Sequence, residues 1–199
     1  MLISHHPQSA EHLVLGDGVL LCDFDLNRAL QCTDPLDAMA EALCDERHRI
    51  GTTCNGSVFR AVPKEFQREQ VANRLPYQGS TLLVGWRVTL SGVLQDVTEA
   101  NMARLLPGDG TRDAHLFSHQ PAQAAKAPLE RVCWIGTTSR GLLVLELLHP
   151  LAISGAALTV KPNEAGEMTF TLLAQNDHPD DPTLPVHMYW WQEETHDIA

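Results

Sequence analysis

The clearest alternation of apolar and polar positions is LLVGWRVTLSGVL. Leu82, Val84, Trp86, Val88, Leu90 and Leu94 fall on one side of an extended backbone, and Leu83, Gly85, Arg87, Thr89, Ser91 and Val93 fall on the other. This period of two predicts a long strand with one buried face. The period then changes. In DVTEANMARLLPGDG, Val97, Ala100, Ala103 and Leu106 recur at helical spacing, between a capping box formed by Asp96 and Glu99 and a stop at Pro107-Gly108. The expectation is a helix from Val97 to Leu106 that packs Ala100, Ala103 and Leu106 on the chain's own sheet. Upstream, Asp34-Pro35 followed by Leu36, Met39, Ala40 and Leu43 predicts a short helix lying outside the sheet, within an excursion of about residues 31–49.

Around these lie further strand-like runs. HLVLGDGVLLCDF (residues 12–24) reads as a hairpin turning at Gly16-Asp17-Gly18. RVCWIGTT, GLLVLELL, AALTV and EMTFTLLAQ are separated by turn-forming SRG, HPLAISG and KPNEAG, and LPVHMYWW reads as a last strand. Residues 108–128, rich in Gly, Asp, Ala, Gln and Pro, have little periodicity and read as a long loop. The pattern therefore predicts one mainly β domain over residues 1–199, an antiparallel β-sandwich or partly closed barrel with one flanking α-helix.

Charge narrows the choice of partners. Fourteen basic against twenty-five acidic residues give a net charge of −11, which argues against gripping nucleic acid through its phosphates while leaving room for a wall past which DNA slides. No apolar run approaches the roughly 20 residues of a membrane-spanning helix. The first eighteen residues lack the basic and apolar regions of a secretory leader. Five cysteines without a CxxC predict reduced, buried thiols rather than a disulfide framework or a zinc ribbon.

Candidate chemistry is sparse. The ten histidines show neither HxH nor HExxH spacing, and the carboxylates of DHPDDP (residues 177–182) sit among prolines that favour a solvated loop over a cation site. There is no GxSxG, and GDG lacks the third glycine of a phosphate loop. Asp23 and Asp25 share one side of a strand and can pair for acid/base work, although such pairs are common on solvated faces. The expectation is a protein without enzymatic turnover, cofactor or metal. Trp190 and Trp191 point to opposite faces of the last strand and are candidate interface residues.

The phrase IGTT occurs twice, at Ile50–Thr53 and Ile135–Thr138, each followed three residues later by glycine (Gly56 and Gly141). Two copies are too few for a solenoid. The order IGTT…GSVFRAVPKEF, then GWRVTLSGVLQDVTEANMARLL, then WIGTTSRGLLVLELLHPLAISGAALTVKPNEAGEMTFTLLAQND and a short aromatic strand resembles the major tail tube proteins of long-tailed bacteriophages. The likeness covers most of the chain beyond about residue 45; the insertion at 108–128 and the Cys-rich excursion from Cys32 to Cys54 depart from the family pattern.

The resemblance implies a subunit that forms hexameric rings stacked into a hollow virion tail tube. Such a tube is made in the bacterial host cytoplasm, contacts a tape measure protein and other tail proteins, and lets DNA pass without specific binding or a membrane. On this view the doubled IGTT marks two similar hairpins that join neighbours. Leu36, Met39 and Leu43 dock on an adjacent ring with Trp190 and Trp191 at interfaces, and Glu65, Glu69 and Glu146 are lumen-wall candidates. Alternatives are another tail role, terminator or completion protein, or a barrel with a small-molecule pocket at its mouth.

Overall fold

The computed structural model describes residues 14–32, 35–45, 47–67, 81–105, 109–113, 116–120, 129–138, 141–154, 157–160, 166–178 and 181–192. The described elements in chain order are β1 (Val14–Cys22), α1 (Leu26–Leu30), α2 (Pro35–Cys44), β2 (Arg49–Gln67), β3 (Thr81–Leu94), α3 (Glu99–Leu105), β4 (Asp109–Asp113), β5 (Leu116–Gln120), β6 (Arg131–Thr138), β7 (Gly141–Leu148), β8 (Leu151–Ala152), β9 (Ala157–Thr159), β10 (Glu167–Ala174) and β11 (Val186–Gln192). The chain is mainly β, as its pattern predicts. Nine strands make one antiparallel sheet in the order β11-β7-β6-β1-β2-β3-β10-β8, with β9 also paired to β10, and the sheet does not close.

The sheet folds over on β2. Arg49, Gly51 and Thr52 of this strand pair with β1, and Thr53 to Gln67 pair with β3. Between Cys54 and Val58 the register slips, at Asn55 (φ 59°) and Gly56 (φ 79°). A bulge with left-handed residues bends a strand and raises its twist, which lets one sheet form both layers of a sandwich. The first layer is β11, β7, β6 and β1; the second is β3, β10, β8 and β9.

Alternation sorts the residues of the first layer into two cores. Leu20, Val132, Trp134, Leu145, Leu147 and Val186 meet Val88, Leu90, Leu94, Met168, Phe170 and Leu172 between the layers. On the opposite face, Leu21, Cys133, Ile135 and Val144 pack under Leu26, Met39 and Ala42 of α1 and α2. The helices thus form a third layer. Leu105 of α3 joins the inner core, and the Asn101 side-chain amide donates to the carbonyls of Ile50 and Asp96, tying α3 to β2.

Several expectations are corrected. The GDG segment is no hairpin turn: Val14–Cys22 is a single strand with an irregularity before Gly18, where a Cβ would lie 2.2 Å from the Trp134 indole, so glycine makes room for a ring. Among the described residues α1 is a helix besides the two that the spacing predicts, capped by Asp25, whose Oδ1 accepts the Arg28 N–H. Helix α3 buries Asn101 and Leu105, with Val97 and Met102 partly covered, while Ala100 is exposed. The Ala103 side chain and Leu106 lie outside the described residues. Thr98 caps this helix, its Oγ1 accepting from Asn101 N, and Asp96 turns instead to accept from Thr52 N at 2.9 Å. Within 108–128, β4 and β5 form a separate two-stranded antiparallel pair. Ladder hydrogen bonds come from the backbone, so a hairpin can form where side-chain periodicity is absent.

Candidate functional site

The one buried acid among the described residues is Glu146, on β7, in the cross-strand row Cys133, Glu146, His187 that spans β6, β7 and β11. Its Oε2 lies 2.7 Å from His187 Nδ1. Its Oε1 lies 3.6 Å from an Arg131 guanidinium nitrogen, which also reaches Asp25 at 3.4 Å, yet that oxygen accepts no hydrogen bond among the described residues. Tyr189, two residues along β11, donates to Asn27 Oδ1 at 2.9 Å, so α1 and the edge strand bracket the cluster. Sequence reasoning placed Glu146 on a lumen wall; it is fully buried, and a wall residue must face solvent. A signal for this exists in the sequence: Leu142 and Val144 on the same side of GLLVLELL are as apolar as Leu143, Leu145 and Leu147 on the other, which marks a strand covered on both faces.

Glu146 can orient His187 in the manner of a carboxylate-imidazole dyad, and the thiol across the row from it is Cys133. Burial, reinforced by the Glu146 charge, pushes the Cys133 thiol far above its usual range and so keeps it protonated. Burial likewise raises Cys22. The Asp23 and Asp25 carboxylates are occupied in holding the fold, Asp23 accepting from Glu130 N and Asp25 capping α1. In the 177–182 loop, Asp177 meets His149 at 2.6 Å, and the Asp181 carboxylate accepts from Thr183 N, which lowers its pKa. No group of three or more potential metal ligands gathers among the described residues.

The second feature is the pair of sheet edges. On β11, Met188 and Trp190 are 56% and 45% exposed. They lie opposite Leu145 and Leu143 and so continue the inner face of the first layer beyond the sandwich. At the other edge, Leu158 of β9 and the following Val160 are 49% and 72% exposed. Trp190 therefore lies at a surface; the Trp191 side chain lies outside the described residues. Met39 is corrected. It is 2% exposed and packs on the chain's own sheet, with Leu43 partly buried in the same cluster, so neither projects toward a neighbour. The side chains of Leu36 and Glu65, and the whole of Glu69, lie outside the described residues.

A third feature is a cavity of about 160 Å³ where the bulge of β2 opens the sandwich, lined by Gly56, Ser57, Phe59, Leu90, Trp134, Leu143 and Leu145. The Ser57 hydroxyl is buried there without a hydrogen-bond partner among the described residues. No family model and no curated protein sequence matches this chain.

Proposed function

We propose that this chain is a structural subunit of a bacteriophage tail, building hexameric rings that stack into the tube through which DNA leaves the virion, and that it performs no catalysis. The proposal starts from the sequence resemblance. The observation that carries it further is the pair of sheet edges that no described strand covers, each bearing large exposed apolar side chains. Such edges invite uncontrolled aggregation unless a partner covers them, and a closed ring covers every edge with its neighbour's. Glu65 and Glu69 are retained as wall candidates, Glu146 is not.

Negative-stain images of the purified full chain test this reading. Six-membered rings or tubes are expected. Rings that never stack favour a terminator or completion role, and monodisperse monomers at every concentration overturn the assembly reading. The apolar cavity with its unpartnered Ser57 hydroxyl favours a second reading, a small-molecule binder. Quenching of Trp134 fluorescence by a single-ring phenol, from a chain that stays monomeric, is the result that selects it.

A further inference from the structure

Among the described residues, the two outer faces of the molecule differ in charge. On the second layer, the uncovered face presents Val58, Arg60, Val62 and Lys64 from β2, whose partners on β3 are Ser91, Thr89, Arg87 and Gly85. Arg87 stands opposite Val62 and therefore diagonal to both Arg60 and Lys64, roughly 7–8 Å from each along the backbone, with Arg60 and Lys64 about 13 Å apart on their own strand. All three are exposed, and none has a carboxylate within ion-pair distance among the described residues. Beside them Val58 and Val62 are 52% and 51% exposed. Asp181 lines a cleft of about 240 Å³ together with Lys64 and Arg87, and its carboxylate is occupied by Thr183 N. Glu167 begins β10 at the far end of this face.

The opposite surface is the helix layer. There Asp37 and Glu41 are exposed on α2, beside the exposed Asp23 and Asp25 that hold Glu130 N, the start of α1 and Arg131, with Arg28 as the cation of the two helices. Three like charges held on neighbouring strands repel one another until an anion meets them. A second copy brings such an anionic surface in its own helix layer, so the two faces are complementary in charge.

We propose that the basic sheet face around Arg60, Lys64 and Arg87 docks on the acidic α1/α2 layer of a second copy. The contact is head-to-tail, and each copy keeps one face of each sign, so it can propagate around a ring or along a stack. Exposed valines add apolar area at the centre of the basic face. This inference rests on the assembly reading above and says which surfaces meet.

The test is a charge swap in the full-length chain. One variant carries Arg60→Glu, Lys64→Glu and Arg87→Glu; the other carries Asp37→Lys and Glu41→Lys. Unchanged circular dichroism is expected, since every site is exposed. Sedimentation velocity should show each variant losing the assemblies formed by the unaltered protein. An equimolar mixture should recover them, because each variant then offers the face the other lacks. Raising salt from about 0.05 M to about 0.5 M shortens the screening length from roughly 14 Å to roughly 4 Å and should weaken assembly of the unaltered protein. Assembly of both variants at the unaltered level overturns the inference and leaves the tube reading intact. Loss without recovery in the mixture overturns the helix layer as the partner. A shift of duplex DNA that the triple variant abolishes, with self-association unchanged, makes the face a nucleic-acid surface and also overturns it. Absence of assembly in the unaltered protein overturns the reading and the inference together.

Discussion

Replacing His187 by Phe should destabilise the chain more than replacing Glu146 by Leu. Glu146 is fully buried and His187 supplies its 2.7 Å partner, while Arg131 stands 3.6 Å from the other oxygen. Removing one partner of a buried charged pair costs about 3–5 kcal/mol because the remaining group is left without compensation. Here the imidazole side chain is 44% exposed, so water takes over part of its role and the expected loss falls to about 2 kcal/mol. Leucine at 146 removes the desolvated group itself, beside Cys133, and leaves a histidine that water can still hydrate. Its expected cost is about 1 kcal/mol or less, since apolar replacement of a buried ionic group is often neutral. Urea unfolding under conditions that keep the chain monomeric reads both. With a slope of about 2–3 kcal/mol/M for a domain of this size, His187→Phe should lower the midpoint by roughly 0.7–1 M. The double variant should sit near Glu146→Leu alone, giving a coupling of about 1–2 kcal/mol. A Glu146→Leu variant less stable than His187→Phe would refute the reasoning, because the carboxylate would then be a net source of stability.

Asn101→Leu strips the donors from the buried carbonyls of Ile50 and Asp96 and should cost about 3 kcal/mol, a Tm drop of roughly 6–12 °C, whereas Ala100→Glu on the exposed side of α3 should stay within about 0.5 kcal/mol. Gly136→Ala puts a Cβ 2.2 Å from the Trp134 ring and should cost about 1–3 kcal/mol, with a change in near-ultraviolet circular dichroism; an unchanged aromatic signal would count against the packing. Arg47 holds the Asp45 carboxyl down at about 2 through side-chain and backbone hydrogen bonds, so Arg47→Ala should raise that titration toward 3.8, as followed by NMR. The sign is that of a depressed acid: the interaction is complete above the unfolded pKa and is lost as pH falls through about 2.

Strand faces were legible wherever one side of a strand is buried and the other wet. Val88, Leu90 and Leu94 are buried as the alternation of β3 requires, but Val84 on the same side is 55% exposed, since β10 stops pairing at Val88 and β3 runs on past it. Alternation tells which residues share a face, and only the neighbour's length tells how far that face is covered. Ala100 departs from the expected stripe on α3 for a related reason. Alanines at helical spacing are equally at home in water, and a buried Asn101 is recognisable only once the carbonyls of Ile50 and Asp96 are placed beside it. GLLVLELL marks β7 as covered on both faces, but nothing in the sequence says that Met39 and Leu43 belong to that cover. The candidate site suffered most, since Arg131, Glu146 and His187 come from three strands and meet only through register.

The two IGTT phrases show how little a shared word fixes. Both strands flank β1 and both lead into a hairpin, β2–β3 and β6–β7, which is as much likeness as the topology holds. Ile50 enters the core between the layers, whereas Ile135 faces the helices. Gly51, at φ 151°, leaves room for the Asp96 side chain that accepts from Thr52 N; Gly136 leaves room for the Trp134 indole. Thr53 exchanges hydrogen bonds with the Gly18 backbone, donating at 3.0 Å and accepting at 2.9 Å, and so stitches β2 to β1. In each copy glycine yields space beside a β-branched residue, but the group that fills it is a carboxylate in one and an indole in the other. A glycine next to threonines satisfies both demands because each asks only for a missing side chain on one face and a stiff extended backbone on either side. The repeat therefore records a common solution to close approach between strands. Whether the two hairpins also act alike rests on the faces they present outward, and there they differ: β2 carries Arg60 and Lys64 to an open surface, while β7 carries Glu146 beneath a layer of helices.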